Sequence, residues 1–169
     1  MDILVFRHGI ALEREEAARL GLSDAERPVT DRGRVRTRAA ARGLMAALRG
    51  ARVDAIVTSP YLRAAQTAAL LAECLQIDRV IECDALVPGQ GPSAVNAWLR
   101  EQPAHKCQLL VGHEPDLSEW VSWGLTRRHD RLLSFKKAGC CLLEFPGSPE
   151  AGTGNLRWLL TAAQLRALA

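Results

Sequence analysis

The sequence has no run of 18 apolar residues, the shortest stretch that reads as a membrane-spanning helix, and no basic N-terminal stretch leading into a long apolar one. Residues 1–6 lead straight into an apolar segment, so the expectation is a cytoplasmic protein with no membrane partner. Cysteine occurs five times, at Cys74, Cys83, Cys107, Cys140 and Cys141, but never in CxxC spacing. That argues against a disulfide framework, and in a reducing cytoplasm the five read as small buried hydrophobes. Adjacent Cys140 and Cys141 would point to opposite faces of a strand, which disfavours a shared metal site. Lysine occurs only at Lys106, Lys136 and Lys137, so arginine carries most of the positive charge. An arginine-rich genome explains that as well as phosphate recognition does. The formal net charge of +3 is too small to indicate a nucleic-acid partner. Repeats, linkers and low-complexity blocks are missing too, which leaves one domain over residues 1–169.

What the chain does have is alternation. Short apolar segments at 3–6, 55–57, 80–81 and 109–111 are separated by stretches with helical spacing. Val35, Leu44, Met45 and Leu48 are expected on one helix face, and Leu62, Ala65, Ala69 and Leu75 on the next. Val95, Trp98 and Leu99 mark a third helix, and Leu117, Trp120, Val121 and Leu125 a fourth. This order implies a layered α/β fold with a mostly parallel sheet flanked by helices. The last third changes character. Segments 140–145 and 156–160 flank "PGSPEAGTGN", which predicts a C-terminal antiparallel hairpin, and 162–168 a closing helix.

In open α/β sheets, ligands bind beyond the carboxyl ends of the strands. Here the first such end reads Arg7-His8-Gly9, the second runs into "TSPYLRAAQTA", and the fourth into "VGHEPDLS". Together they offer Arg7, His8, Arg63 and His113. In the second, Ser59 suits an N-cap and Pro60 a first helical position, placing Arg63 in the first turn beside free backbone N–H groups. Pro115 starts another helix just after His113, and Gly9 and Gly112 let the backbone approach a ligand closely. Two guanidinium forks, helix N-termini and few carboxylates suit a phosphate. An imidazole inside that cluster can attack phosphorus and carry the phosphoryl group covalently. Arginines would neutralise the equatorial oxygens, and the chemistry requires no metal or other cofactor.

"LVFRHGIA", "RPVTDRGR", "SPYLRAAQTA" and "LLVGHEPDLS" together resemble the histidine phosphatase superfamily, also called phosphoglycerate-mutase-like. The short chain, "RAAQTA" and "VGHEP" are most similar to its SixA-type phosphohistidine phosphatase branch. The resemblance implies that His8 is the phosphorylated nucleophile of an RHG motif and Arg7 a phosphate-binding arginine. It implies that Arg63 is the second such arginine and His113 the second histidine of the pocket. Many members use an acidic side chain after the third strand as proton donor. Glu82 and Asp84 are the candidates here, Glu114 is a further one, and hydrogen bonding within a loop is the alternative for the first two.

Substrate follows from that donor. Expelling an alkoxide demands a general acid, whereas a protonated imidazole leaves as a neutral group. A poor donor therefore favours phosphohistidine on a protein, such as a histidine phosphotransfer domain or a phosphocarrier in a signalling relay. The short 86–92 connection predicts an open, shallow site able to admit such a partner and disfavours mutase activity. Two other readings are a phosphomonoesterase for a small sugar or nucleotide-like metabolite, and a non-catalytic phosphate-binding module. A mere binder would have no need of the nucleophile.

The remaining conspicuous residues have plainer readings. His105 and His129 sit in no motif and read as loop residues, and the four tryptophans read as core. "TRRHDR" at 126–131 reads as a solvated loop, and Thr30 as the cap of the helix carrying "DRGR".

Overall fold

The chain builds a six-stranded mixed sheet whose parallel part is central. In this computed structural model, which describes residues 1–102 and 106–169, the strand order is β3-β2-β4-β1-β5-β6. Strands β1 (Asp2–Arg7), β2 (Ala55–Thr58), β3 (Val80–Glu82) and β4 (Cys107–Gly112) run parallel. Beyond β1, β5 (Cys140–Glu144) and β6 (Asn155–Leu160) form the expected antiparallel hairpin. His105 lies outside the described residues.

Strand alternation sends successive side chains to opposite faces, and both faces are covered. Ile3, Val5, Val57, Leu110, Cys141 and Leu143 face α4 (Gly91–Glu101) and α5 (Asp116–Thr126). Leu4, Phe6, Ile56, Leu109, Val111 and Cys140 face α2 (Asp31–Leu48), α3 (Leu62–Leu75) and α6 (Ala162–Ala167). Each large side chain so buried contributes about 1.5–3 kcal/mol. Trp120 anchors the first face, 1 % exposed, with its indole N–H donating to Asn96 Oδ1 at 3.0 Å.

Two helix faces differ from the periodicity reading. On α2, Val35 and Met45 are 69 % and 46 % exposed, and the buried stripe is Gly33, Thr37, Ala40, Ala41 and Leu44. On α3 the buried stripe is Ala64, Thr67, Ala68 and Leu71, while Leu62 and Ala69 face out. Small residues carry the packing there because both helices lie close against the sheet and each other. The polar helix α1 (Arg14–Arg19), which buries only Ala17, gave no periodic signal. Trp98, Trp123 and Trp158 are only half-buried, so Trp120 alone among the tryptophans sits fully in the core.

The turn after β1 is fixed by α2. Thr30 caps that helix, its Oγ1 accepting from Gly33 N–H at 3.0 Å, and its own N–H donates to Ile10 O at 2.9 Å. A Cβ at Gly33 would lie 2.1 Å from Ile10 O, so only glycine lets the helix start sit flush on this turn.

Candidate active site

Three strands end in register. Arg7 lies opposite Gly112 across β1 and β4, and Thr58 opposite Val111 across β2 and β4. Ladder bonds continue one residue further, from His8 N–H to Gly112 O at 3.1 Å and from Ser59 N–H to Val111 O at 3.0 Å. His8, Ser59 and His113 therefore emerge side by side. The two imidazole centroids are 5.1 Å apart, and His113 Nε2 is 2.9 Å from Ser59 Oγ.

His8 is 6 % exposed, and its Nδ1 lies 2.8 Å from Gly9 O. A carbonyl only accepts, so the proton is assigned to Nδ1 and Nε2 keeps its lone pair. Arg63 Nε–H points at that Nε2 at 3.3 Å. Burial first, then the charges of Arg63, Arg7 and Lys137, pushes His8 from 6.5 down to about 3, against the bond to Gly9 O. His113, 3 % exposed, is pushed down to about 2, by burial first and then by His8 and Arg63. Both are neutral at pH 7, the form a nucleophilic imidazole needs. Gly9 closes the turn, with its N–H on Thr67 Oγ1 at 2.9 Å, and a Cβ on it would lie 2.5 Å from Thr37 Oγ1.

The two arginines are held differently, Arg7 by a backbone carbonyl and Arg63 by a carboxylate. Arg7 Nη1 donates to Phe135 O at 2.6 Å, while its Nε is buried without a hydrogen-bond partner among the described residues. Glu114 pins that segment, accepting from Phe135 N–H at 2.6 Å and from Ser118 Oγ at 2.7 Å. Arg63 is clamped by Asp24, Nη2 on Oδ2 at 3.0 Å and Nη1 on the Asp24 carbonyl. Arg27 and Arg14 reach the other oxygen, Oδ1, at 2.8 and 3.1 Å. Burial raises the Asp24 carboxyl, but hydrogen bonds from Arg27 and Arg63 and the charges of Arg63 and Arg14 outweigh it and hold it down at about 2. The sequence reading expected few carboxylates here and missed Asp24. It sits in a loop with no periodicity, 39 residues from Arg63, and carries no local signal.

Other expected details shift. α3 starts at Leu62, not Pro60, with Tyr61 as its N-cap, so Ser59 does not cap the helix. Its hydroxyl accepts weakly from Tyr61 N–H at 3.3 Å and otherwise serves His113. Arg63 remains in the first turn. Glu82 ends β3 and Asp84 opens a short 3₁₀ turn, Asp84–Leu86; both are exposed. Neither carboxylate has a hydrogen bond or ion pair among the described residues. Their expected loop bonding is therefore not formed, and neither is brought against the histidines by any such contact. Of the sequence-chosen residues, His8 touches both Arg63 and His113, and Arg7 and Gly9 flank it in the chain. Loop 126–131 is exposed, with Arg128 paired to Asp130 at 3.1 Å.

A family model described as the histidine phosphatase superfamily, branch 1, matches residues 3–87, which takes in Arg7, His8 and Arg63. The chain belongs to the histidine phosphatase superfamily. An uncharacterized protein from Picosynechococcus sp. is 38 % identical over 168 residues, covering 96 % of each chain. In fold the chain is similar to the protein histidine phosphatase SixA in complex with tungstate. The TM-score is 0.78 at 24 % identity, over 98 % of this chain and 99 % of that one. Alpha-ribazole phosphatase from Shigella flexneri gives 0.70 at 17 %, over 96 % and 97 %. Phosphoglycerate mutase from Plasmodium falciparum gives 0.64 at 18 %, over 93 % and 88 %. The fold is phosphoglycerate-mutase-like, and membership of this superfamily supports a phosphatase.

Proposed function

We propose that this phosphatase works through a phospho-His8 intermediate and acts on phosphohistidine carried by a protein, a histidine phosphotransfer domain or phosphocarrier. His8 Nε2 attacks phosphorus in line, and the bond from phosphorus to the substrate imidazole breaks. That imidazole leaves neutral, taking the electron pair and keeping its other ring proton. Arg7 and Arg63 balance the charge on the equatorial oxygens, and His113 donates to one of them. Water then attacks phosphorus, the bond to His8 breaks, and phosphate departs.

The observation that carries the substrate class is the state of the carboxylates at the cluster. Asp24 is held ionised by three arginines, and Glu114 is committed to Phe135 N–H and Ser118. Asp24, held at about 2, is no proton donor to a leaving alkoxide at neutral pH, the Glu114 carboxylate is taken up as an acceptor, and phosphohistidine needs no such donor. The connection from β3 to α4 supports access: it holds only one 3₁₀ turn before Gly91 and lays no large roof over the site. The cysteines stand unpaired, as a reducing cytoplasm requires.

A second reading, a phosphomonoesterase for a small metabolite, is favoured by one fact. Glu82, the last residue of β3, and Asp84, just beyond it, are exposed and have no partner among the described residues, so either side chain is free to serve a leaving group. Phosphate release from a phosphohistidine-bearing protein and from a panel of sugar phosphates separates the two. The expected result is release from phosphohistidine lost by about 10⁴-fold in His8→Ala. A preference for a sugar phosphate, lost in Asp84→Asn or Glu82→Gln, supports the second reading instead. Phospho-ligand binding unchanged in His8→Ala with no turnover in wild type would leave only a binding module.

A further inference from the structure

Beside Arg7, away from the histidine pair, the first half of α2, the 136–138 turn and α6 enclose a cavity of about 370 Å³. Its walls bring together Arg7, Arg36, Lys136, Lys137 and Arg166. No carboxylate lines it among the described residues. Lys137 is paired with Glu13, an exposed residue outside the cavity, at 3.2 Å, while Arg36, Lys136 and Arg166 form no ion pair among the described residues. Thr37, fully buried in the same wall, carries a hydroxyl without a hydrogen-bond partner among the described residues.

Like charges from three separate elements do not converge around a ligand-sized cavity without cost unless an anion offsets them. The position gives that anion a context. Arg7 forms one wall, and Lys137 contributes to the field that depresses His8. The cavity thus shares Arg7 with the site around His8.

We propose that this cavity is a second anion subsite, binding a phosphate or carboxylate carried by the same substrate molecule as the transferred phosphoryl group. Arg36 and Arg166 supply the forks that meet planar or tetrahedral oxygen clusters, and Lys136 adds a mobile point charge. The inference rests on the phosphatase reading for its first anion, and it adds that substrates with one negative group are poor ones. An acidic side chain near the phosphohistidine of a partner and the second phosphate of a small molecule offer the same chemistry.

Two probe pairs tell these sources apart: phenyl phosphate against a propanediol bisphosphate, and a phosphohistidine peptide with serine flanks against one with aspartate flanks. Wild type is expected to show a KM about tenfold lower for the doubly anionic member of one pair. The double variant Arg36→Ser/Arg166→Ser, whose exchanges lie on half-buried side chains outside the two hydrophobic clusters, is expected to erase that difference while moving the singly anionic KM less than about twofold. A gain confined to the peptides assigns the subsite to a protein substrate, and one confined to the bisphosphate to a small molecule. Equal KM values within both pairs, or a variant that weakens both members alike, overturns the subsite. If wild type hydrolyses none of the four, the phosphatase reading fails, and calorimetric affinities of the same probes decide the subsite by the same criterion.

Discussion

At the scale of single residues, the site is organised by what each nitrogen is given to do. Gly9 O takes the Nδ1 proton of His8, which leaves Nε2 for chemistry, and Arg63 Nε–H reaches that atom because Asp24 occupies the far end of the guanidinium. Asp24 is therefore a positioning residue. Asp24→Ala is expected to lower kcat about tenfold with KM changed much less, and Asp24→Asn to recover part of the loss through its amide oxygen. A kcat unchanged in Asp24→Ala would contradict this. Arg7, His8, Arg63 and His113 were legible in the sequence because each sits at a strand end or first helical turn whose place the local pattern fixes. Asp24 was not: Arg27 is a neighbour in its own loop, but Arg63 and Arg14 come from other segments, and only the folded chain brings them to it.

At the scale of elements, the fold holds the catalytic turn by close backbone approach. α2 begins against Ile10 O through Thr30 and Gly33, and β1 continues into His8 through the bond to Gly112. Gly33→Ala is expected to cost about 3 kcal/mol in urea unfolding, since its methyl would have to displace backbone. Thr30→Ala removes only a cap and is expected to cost about 1 kcal/mol. Equal costs for the two would contradict the close-packed turn. The strands and the hairpin were readable from apolar runs between turn residues. The inner faces of α2 and α3 were not, because alanine, glycine and threonine carry their contacts, and a count of large apolar residues lands on the outer side instead.

At the scale of the whole molecule, two buried neutral imidazoles set a pH dependence. Each has a folded value well below 6.5, so between the folded and unfolded values the unfolded chain binds the extra proton. Their contribution to stability is complete above about pH 6.5 and is lost as pH falls from there towards about 3. Asp24 acts lower, its contribution present above the ordinary carboxylate value of 3.8 and lost as pH falls towards about 2. The urea midpoint is therefore expected to drop between pH 7.5 and 4.5, and to drop less in a His8→Ala/His113→Ala variant. An identical drop in both would contradict the assignment.

The same neutrality suits the proposed transfer of a phosphoryl group to His8, and that step is the core of the account. The most direct test is a rapid acid-free quench of wild type during turnover of a phosphohistidine protein, followed by peptide mapping of the phosphorylated residue. The account predicts an acid-labile phosphoramidate on His8 that disappears on chase and is absent from His8→Ala. Full turnover with no phosphoenzyme, or a label on any other residue, would contradict it.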